Sequence, residues 1–275
     1  MTAPDVRPEL GEAVLAAALR EAQSRFGTRL DAAYALGSLA HGGFSAHVSD
    51  VDLGLVLADP LVDGDAPAID ALGAAVRATG LPLSDRLSVF WGSQETLSGA
   101  KQGGRYPPVD CLDLKLNGRL LCGSDIRAVV AEPGTAAMVI SAARMALKNM
   151  SSEDVIAGLR EPSALIRSGV RPFTKRVLFP VRFVFTARTG RVGTNDDAVE
   201  HFVKTESGPA AELARRAYEW RGVPYESGDP SVLDVARRGL LPLYRLFVED
   251  YAPRLDACGE RELAGGMREW RRRLN

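Results

Sequence analysis

Apolar positions along this chain change their spacing several times, and each change marks an element. Val14, Leu15, Ala18, Leu19, Ala22 and Phe26 fall on one face of a 3.6-residue repeat. That spacing predicts a helix over 12–26, closed by Gly27. A short strand over Ala33–Leu36, a Gly37-Ser38 turn, and a strand that opens with Asp50-Val51-Asp52 and runs to Leu57 follow. Helical spacing returns over Pro67–Thr79, with Ile69, Leu72, Ala75 and Val76 inward and Gly80 as the stop. Leu87–Trp91 and Val109–Leu114 read as two more strands. Strands alternating with helices in this way predict an α/β or α+β layer.

The texture changes at Pro133-Gly134, after which little alternation remains. Thr135–Asn149 is rich in Ala and Met and reads as a helix. Ser151-Ser152-Glu153-Asp154 and Thr194-Asn195-Asp196-Asp197 offer capping side chains with acids in a first turn. Asp229-Pro230 is a cap followed by proline at the first helical position, opening Ser231–Arg238. Leu240–Tyr251 places Leu243, Leu246 and Phe247 on one face, and Arg268–Arg273 reads as a solvated helix end. The second half is therefore expected to be a helical bundle. No internal repeat or low-complexity segment interrupts the 275 residues, which suit two modest domains, 1–133 and 134–275.

Composition adds limits. With 46% hydrophobic and 25% charged residues the chain can build a sizeable core. No apolar run reaches the roughly 18–20 residues a bilayer span needs, so no membrane partner is expected. Met1 to Leu10 lacks a leader pattern. Cys111, Cys122 and Cys258 are odd in number and without metal-ligand spacing, and a reducing cytoplasm is the expected compartment. His41, His47 and His201 are too scattered for a zinc site. The net charge of −1 hides an asymmetry: residues 1–133 hold 11 Lys and Arg against 17 Asp and Glu, and residues 134–275 hold 23 against 18. An acidic first half facing a basic second half would suit a polyanionic nucleotide held between them. Neither half carries a basic stripe interleaved with aromatics, so nucleic acid is not expected as a partner.

The chemistry concentrates in Ala35-Leu36-Gly37-Ser38-Leu39-Ala40-His41-Gly42-Gly43 and Ser49-Asp50-Val51-Asp52. On a strand, residues two apart share a face, so Asp50 and Asp52 project side by side. Two carboxylates that close repel each other unless a cation lies between them. Mg²⁺ suits the place, because it is commonly bound by one or two carboxylates plus substrate phosphates. The Gly37-Ser38 turn lets backbone amides approach phosphate oxygens. The combination resembles the DNA polymerase β-like nucleotidyltransferase superfamily, whose signature is Gly-Ser, a helical turn, then Asp-x-Asp on a strand. The resemblance implies an α+β fold, in which a mixed-sheet nucleotidyltransferase domain precedes an all-α domain. It implies that Gly37, Ser38 and Ser49 bind the nucleotide, and that Asp50 and Asp52 are catalytic and hold Mg²⁺.

Further along, Val181-Arg182-Phe183-Val184-Phe185-Thr186-Ala187-Arg188-Thr189-Gly190-Arg191, followed by Ala198-Val199-Glu200-His201-Phe202, resembles the helical domain of aminoglycoside adenylyltransferases of the streptomycin/spectinomycin type. Arg105-Tyr106-Pro107 echoes an Arg-Tyr-Pro of the same enzymes. Two departures matter. The lysine those enzymes carry after the Thr-Gly turn is Asn195 here, which leaves Arg182, Arg188 or Arg191 to meet the phosphates, with Arg182 as the candidate nucleotide contact. Their third carboxylate lies on the next core strand, where this chain has Ser88. The best substitutes are Asp110 and Asp113. Three apart, they would face opposite sides of a strand, and Asp110 is the favoured general base or extra ligand.

The resemblance thus implies transfer of AMP from ATP to a hydroxyl of a small molecule, an aminoglycoside-like acceptor being the family's example and antibiotic resistance the corresponding role. The net positive second half does not favour a polycation such as streptomycin. Two alternatives stay open: a nucleotide-binding protein impaired in catalysis by Ser88, and AMP transfer to a protein partner. The residues leave open which triphosphate is used.

Overall fold

The computed structural model describes residues 7–226 and 228–275; Met1–Val6, read above as lacking a leader pattern, lies outside them. The chain divides into two compact units at the Pro133-Gly134 junction.

The first unit is a four-stranded mixed sheet between helical layers. Helix α1 (Pro8–Phe26) leads into β1 (Leu30–Leu36), the single turn α2 (Ser38–His41), β2 (Val51–Leu57), α3 (Asp65–Ala78), β3 (Leu87–Ser93), the short α4 (Gln94–Leu97), α5 (Pro108–Asn117) and β4 (Arg119–Gly123). The strand order is β3-β2-β1-β4, with β2 and β3 parallel and the other pairs antiparallel. Strand periodicity divides the apolar side chains into two layers. Val51, Leu53, Leu55 and Leu57 of β2 join Ala33 and Ala35 of β1 under Val14, Leu15 and Ala18 of α1 and Ile69, Leu72 and Val76 of α3. Val56 of β2 and Ala32, Tyr34 and Leu36 of β1 face the other way, against Leu97, Leu114, Ile126 and Val130. Asp52 and Gly54 alternate with the first set, and so belong to the second face.

One expected element is corrected. Val109–Leu114 is not a strand: it lies within α5, and the fourth strand is Arg119–Gly123. Pro108 supplies the fixed φ suited to a first helical position, and Leu112 and Leu114 are buried with Asp113. Six residues that mix Val, Cys and Leu with two aspartates do not by themselves separate strand from helix.

The second unit is all helical: α6 (Thr135–Met150), α7 (Glu153–Arg160), α8 (Ser163–Arg167), α9 (Val170–Thr189), α10 (Asn195–Thr205), α11 (Pro209–Glu219), α12 (Pro230–Ala257) and α13 (Arg261–Arg273). The Ser152, Thr194 and Asp229 side chains cap α7, α10 and α12, and Thr194 forms a reciprocal capping box with Asp197. The segment that opens at 231–238 and continues over 240–251 is one helix, α12, with Gly239 inside it against Leu213 of α11. Helix α9 runs through the middle of the bundle and packs on α6, α8, α10, α11 and α12. Pro180 inside it cannot donate to the carbonyl of Arg176, and the buried Tyr244 hydroxyl donates there instead at 2.9 Å. Among the described residues, no helix is long and apolar enough to cross a membrane.

Candidate active site

The Gly-Ser turn leaves β1 where the register sets Leu36 opposite Asp52. Gly37 has φ +58°, and a Cβ there would lie 2.6 Å from Asp52 Oδ2. Glycine is thus required twice, for the backbone conformation and for the approach of the carboxylate. Ala40 and His41 return their N–H groups to the Gly37 carbonyl at 2.9 and 3.0 Å. The N–H groups of Ser38 and Leu39 open this turn and have no acceptor within it. Beside them stands the half-buried Ser38 hydroxyl.

The segment that delivers the Asp pair is held by its serines. Ser45 N–H donates to Ser49 Oγ at 3.0 Å, and Ser49 N–H donates to the Ser45 carbonyl at 2.8 Å. Arg86 Nη1 donates to the Ala46 carbonyl at 2.8 Å. Ser49 is 5% exposed, and its hydroxyl holds the turn by accepting from Ser45. Asp50 and Asp52 emerge half-buried at the start of β2, and both take part in polar or electrostatic interactions.

Ser88 of β3 pairs with Asp52 across the parallel register, so the position beside the Asp pair on the sheet carries a hydroxyl. The nearby carboxylate comes from a helix instead. Asp113, 8% exposed, accepts the Gly37 N–H on Oδ2 at 2.9 Å, and its Oδ1 accepts from Asn117 Nδ2 at 2.8 Å. Asp52 and Asp113 therefore converge on one glycine, from strand and from helix. Asp110, in the first turn of α5, is one helical turn from Asp113 on the same side, not on the opposite side of a strand. The spacing of three, the Pro107-Pro108 start and the Asn117-Gly118 stop were the signals for this helix. Asn117, which orients Asp113, was not foreseen.

Arg105 and Tyr106 brace this face. Arg105 bridges to Trp91 through paired backbone bonds, donates to the Val89 carbonyl at 3.2 Å and lies 5.5 Å above the Phe90 ring. The Tyr106 hydroxyl is buried and has no hydrogen-bond partner among the described residues, and it lies so close to β2 that any Cβ at Gly54 would sit 2.2 Å from it. Burial pushes this phenol well above its ordinary pKa, with the charges of Cys111 and Asp110 adding to the effect. Burial likewise pushes the Cys111 thiol up to about 11.

In the helical unit, Arg182 is half-buried on α9. Arg188 is committed elsewhere: its Nε meets Asp250 at 2.9 Å and its Nη1 meets Glu206 at 2.7 Å. Arg191 lies 5.9 Å above the Phe185 ring. Asn195 opens α10.

Among the described residues, no three His, Cys, Asp or Glu side chains group as a metal site. The hard oxygen donors of Asp50 and Asp52 suit Mg²⁺ in the mode where substrate phosphates and water complete the shell. The close pass of Gly37, with no side chain, keeps the Asp52 carboxylate clear.

No protein-family model matches the chain, and no curated protein matches its sequence. Among solved structures it is similar to spectinomycin adenyltransferase AAD(9) from Enterococcus faecialis, determined with ATP and spectinomycin. The TM-score is 0.58 at 13% identity, covering 82% of this chain and 96% of that one. At that identity the likeness is one of fold, and it agrees with an α+β arrangement in which a mixed-sheet unit is followed by a helical one.

Proposed function

We propose that this chain is a Mg²⁺-dependent nucleotidyltransferase that moves AMP from ATP to the hydroxyl of a small molecule. The observation that carries the reading is the convergence of Asp52 and Asp113 on Gly37, beside the Ser38 hydroxyl and the two open N–H groups of the turn. The fold shared with an adenyltransferase determined with ATP and a small acceptor supports it.

Asp50 and Asp52 would hold Mg²⁺. Bound there, the ion would offset the negative charge of the phosphate oxygens. Ser38 Oγ and the Ser38 and Leu39 N–H groups would hold the outer phosphates, with Ser49 keeping the turn in shape. The acceptor oxygen attacks the α-phosphorus, the bond to the oxygen bridging to the β-phosphate breaks, and pyrophosphate leaves. The acceptor's proton passes to a carboxylate. We assign that role to Asp113 rather than Asp110, because Asp113 is the one fixed against Gly37.

Calorimetric titration of MgATP into wild-type and Asp52→Asn protein tests the reading. Magnesium-dependent binding that disappears in the variant is expected, together with pyrophosphate release when hydroxyl acceptors are added. Wild-type protein that binds no triphosphate would end the proposal. A second reading, nucleotide binding without transfer, is favoured by Ser88 beside Asp52. It predicts MgATP binding with no pyrophosphate released by any acceptor.

A further inference from the structure

Among the described residues of the sheet unit, three buried side-chain polar atoms have no hydrogen-bond partner: Glu95 Oε2, His41 Nδ1 and the Tyr106 hydroxyl. Glu95 Oε2 is ion-paired with Lys101 Nζ at 2.5 Å. The other two stand by the candidate site. His41 closes the turn that Ser38 opens, and Tyr106 lies on the sheet face that carries Asp52. A buried donor without an acceptor lowers stability, so its place in the fold calls for a reason.

Two glycines make room for the Tyr106 ring. Gly54 of β2 and Gly92 of β3 face the same way as Asp52: Gly54 is two residues beyond it, and Val56, two further on, pairs with Gly92. A Cβ at Gly92 would lie 3.5 Å from Tyr106 Cδ2, and one at Gly54 would lie 2.2 Å from the phenol oxygen. The ring therefore runs from β3 at the level of Val56 to β2 at the level of Gly54, its oxygen leading toward the start of β2. Phe90, opposite Gly54, packs on it with ring centroids 5.9 Å apart. One row further, roughly 7 Å along the strand, stand Leu36, Asp52 and Ser88. Leu36 leans back over Gly54, with Cδ1 3.1 Å from the same Cβ position, and the polar side chains of that row are Asp52 and Ser88. Burial and the neighbouring charges keep the phenol protonated at neutral pH, so it is a donor. Of the two polar side chains the carboxylate is the stronger acceptor, because hydrogen bonds to ionised groups are the shorter and stronger ones. Carboxylates that bind a metal are commonly oriented by such bonds from their neighbours.

We infer that Tyr106 is a positioning residue for Asp52: its hydroxyl donates to that carboxylate in the Mg²⁺-loaded site and fixes the orientation in which Asp52 meets the ion. This rests on the nucleotidyltransferase reading and adds to it a residue that holds the metal ligand in place.

The test compares the full chain, wild-type and Tyr106→Phe, in two measurements. In the first, a non-hydrolysable ATP analogue is titrated calorimetrically into each protein at a series of fixed Mg²⁺ concentrations. The Mg²⁺ concentration that gives half-maximal affinity is expected to rise about tenfold or more in the variant. A tyrosine that only packs would leave that dependence unmoved. In the second, the melting midpoint of the unliganded protein is expected to stay level or rise, because the variant deletes a donor that the fold leaves unpaired. An unchanged Mg²⁺ dependence in Tyr106→Phe overturns the inference. So does a lowered melting midpoint, which would show that the hydroxyl has its partner within the unliganded fold. Wild-type protein that binds no analogue at any Mg²⁺ concentration removes the nucleotidyltransferase reading, and this assignment with it, by a signal that needs no variant.

Discussion

Residues 50–57 and 108–117 are alike on paper: each is short, each has two aspartates, and each intersperses them with leucine and valine. One is the strand β2 with the residue before it, and the other is α5. In the first, the carboxylates are two apart and the apolar residues that follow split between two sheet faces, with Leu53, Leu55 and Leu57 on one and Val56 on the other. In the second, they are three apart, proline stands at the first helical position, and the buried positions are 112 to 114. The strand aims its carboxylate along one sheet face. The helix can deliver Asp113 from outside the sheet, to the Gly37 amide. Spacing, not composition, decides which backbone carries an acidic pair, and a carboxylate missing from a strand can be supplied across a layer.

The strand pair should matter most. Asp52→Asn is expected to lower turnover on the order of 10³-fold, the scale of several kcal/mol that a metal-held phosphate contributes, with the melting midpoint little changed. Pyrophosphate release and thermal melting, measured together, decide this, and a variant that keeps wild-type turnover breaks the strand side of the comparison. The helix pair comes next. Asp113→Asn should cost roughly 10²-fold or more if Asp113 accepts the acceptor's proton, whereas Asp110→Asn should stay within a few fold. Binding separates a proton acceptor from a brace: turnover lost in Asp113→Asn with MgATP affinity retained marks the first, and Asn117→Ala, which frees Asp113 on one side only, should lower turnover by less. Equal losses at 110 and 113 would show that the helix orients neither.

Most of the first unit could be read because its signals are local. The 3.6-residue repeat of α1, the Gly37-Ser38 turn and the alternation after Asp52 each need only a few neighbouring residues. The caps at Ser152, Thr194 and Asp229 are legible for the same reason. What could not be read depends on partners distant in sequence. Arg188 looks like an available cation until Asp250, 62 residues away, is folded against it. The strand expected at 109–114 failed on a local signal that was present, Pro107-Pro108 before the run and Asn117-Gly118 after it.

Gly37→Ala tests the point where the two acidic segments meet. A methyl group would carry both the cost of a positive φ and a contact 2.6 Å from Asp52 Oδ2, so a loss of about 2–4 kcal/mol is expected, read by denaturant unfolding. Turnover should fall as well, because Asp52 must move aside. A stable and active variant would mean that the glycine is not the meeting point.

Asp65 sharpens the contrast from the other direction, as a buried carboxylate whose work is structural. It opens α3, is 1% exposed, and accepts from Arg29 Nη1 at 2.6 Å, Arg29 Nη2 at 3.0 Å and Val62 N–H at 2.8 Å. The Arg29 hydrogen bond leads in holding its pKa below the ordinary carboxylate value, with the Val62 amide adding to it. A depressed folded pKa means that the unfolded chain takes up the proton first as pH falls. The stability Asp65 contributes is therefore complete above the unfolded value of about 3.9 and is lost as pH drops toward and through the folded value. Asp65→Asn should cost about 1–3 kcal/mol at neutral pH, and its deficit against wild type should shrink below about pH 4. Turnover per folded molecule should not change. A deficit that is constant with pH would mean that Asp65 acts by packing and not by charge, whereas a fall in turnover would join it to the chemistry from which its distance along the chain and its arginine now separate it.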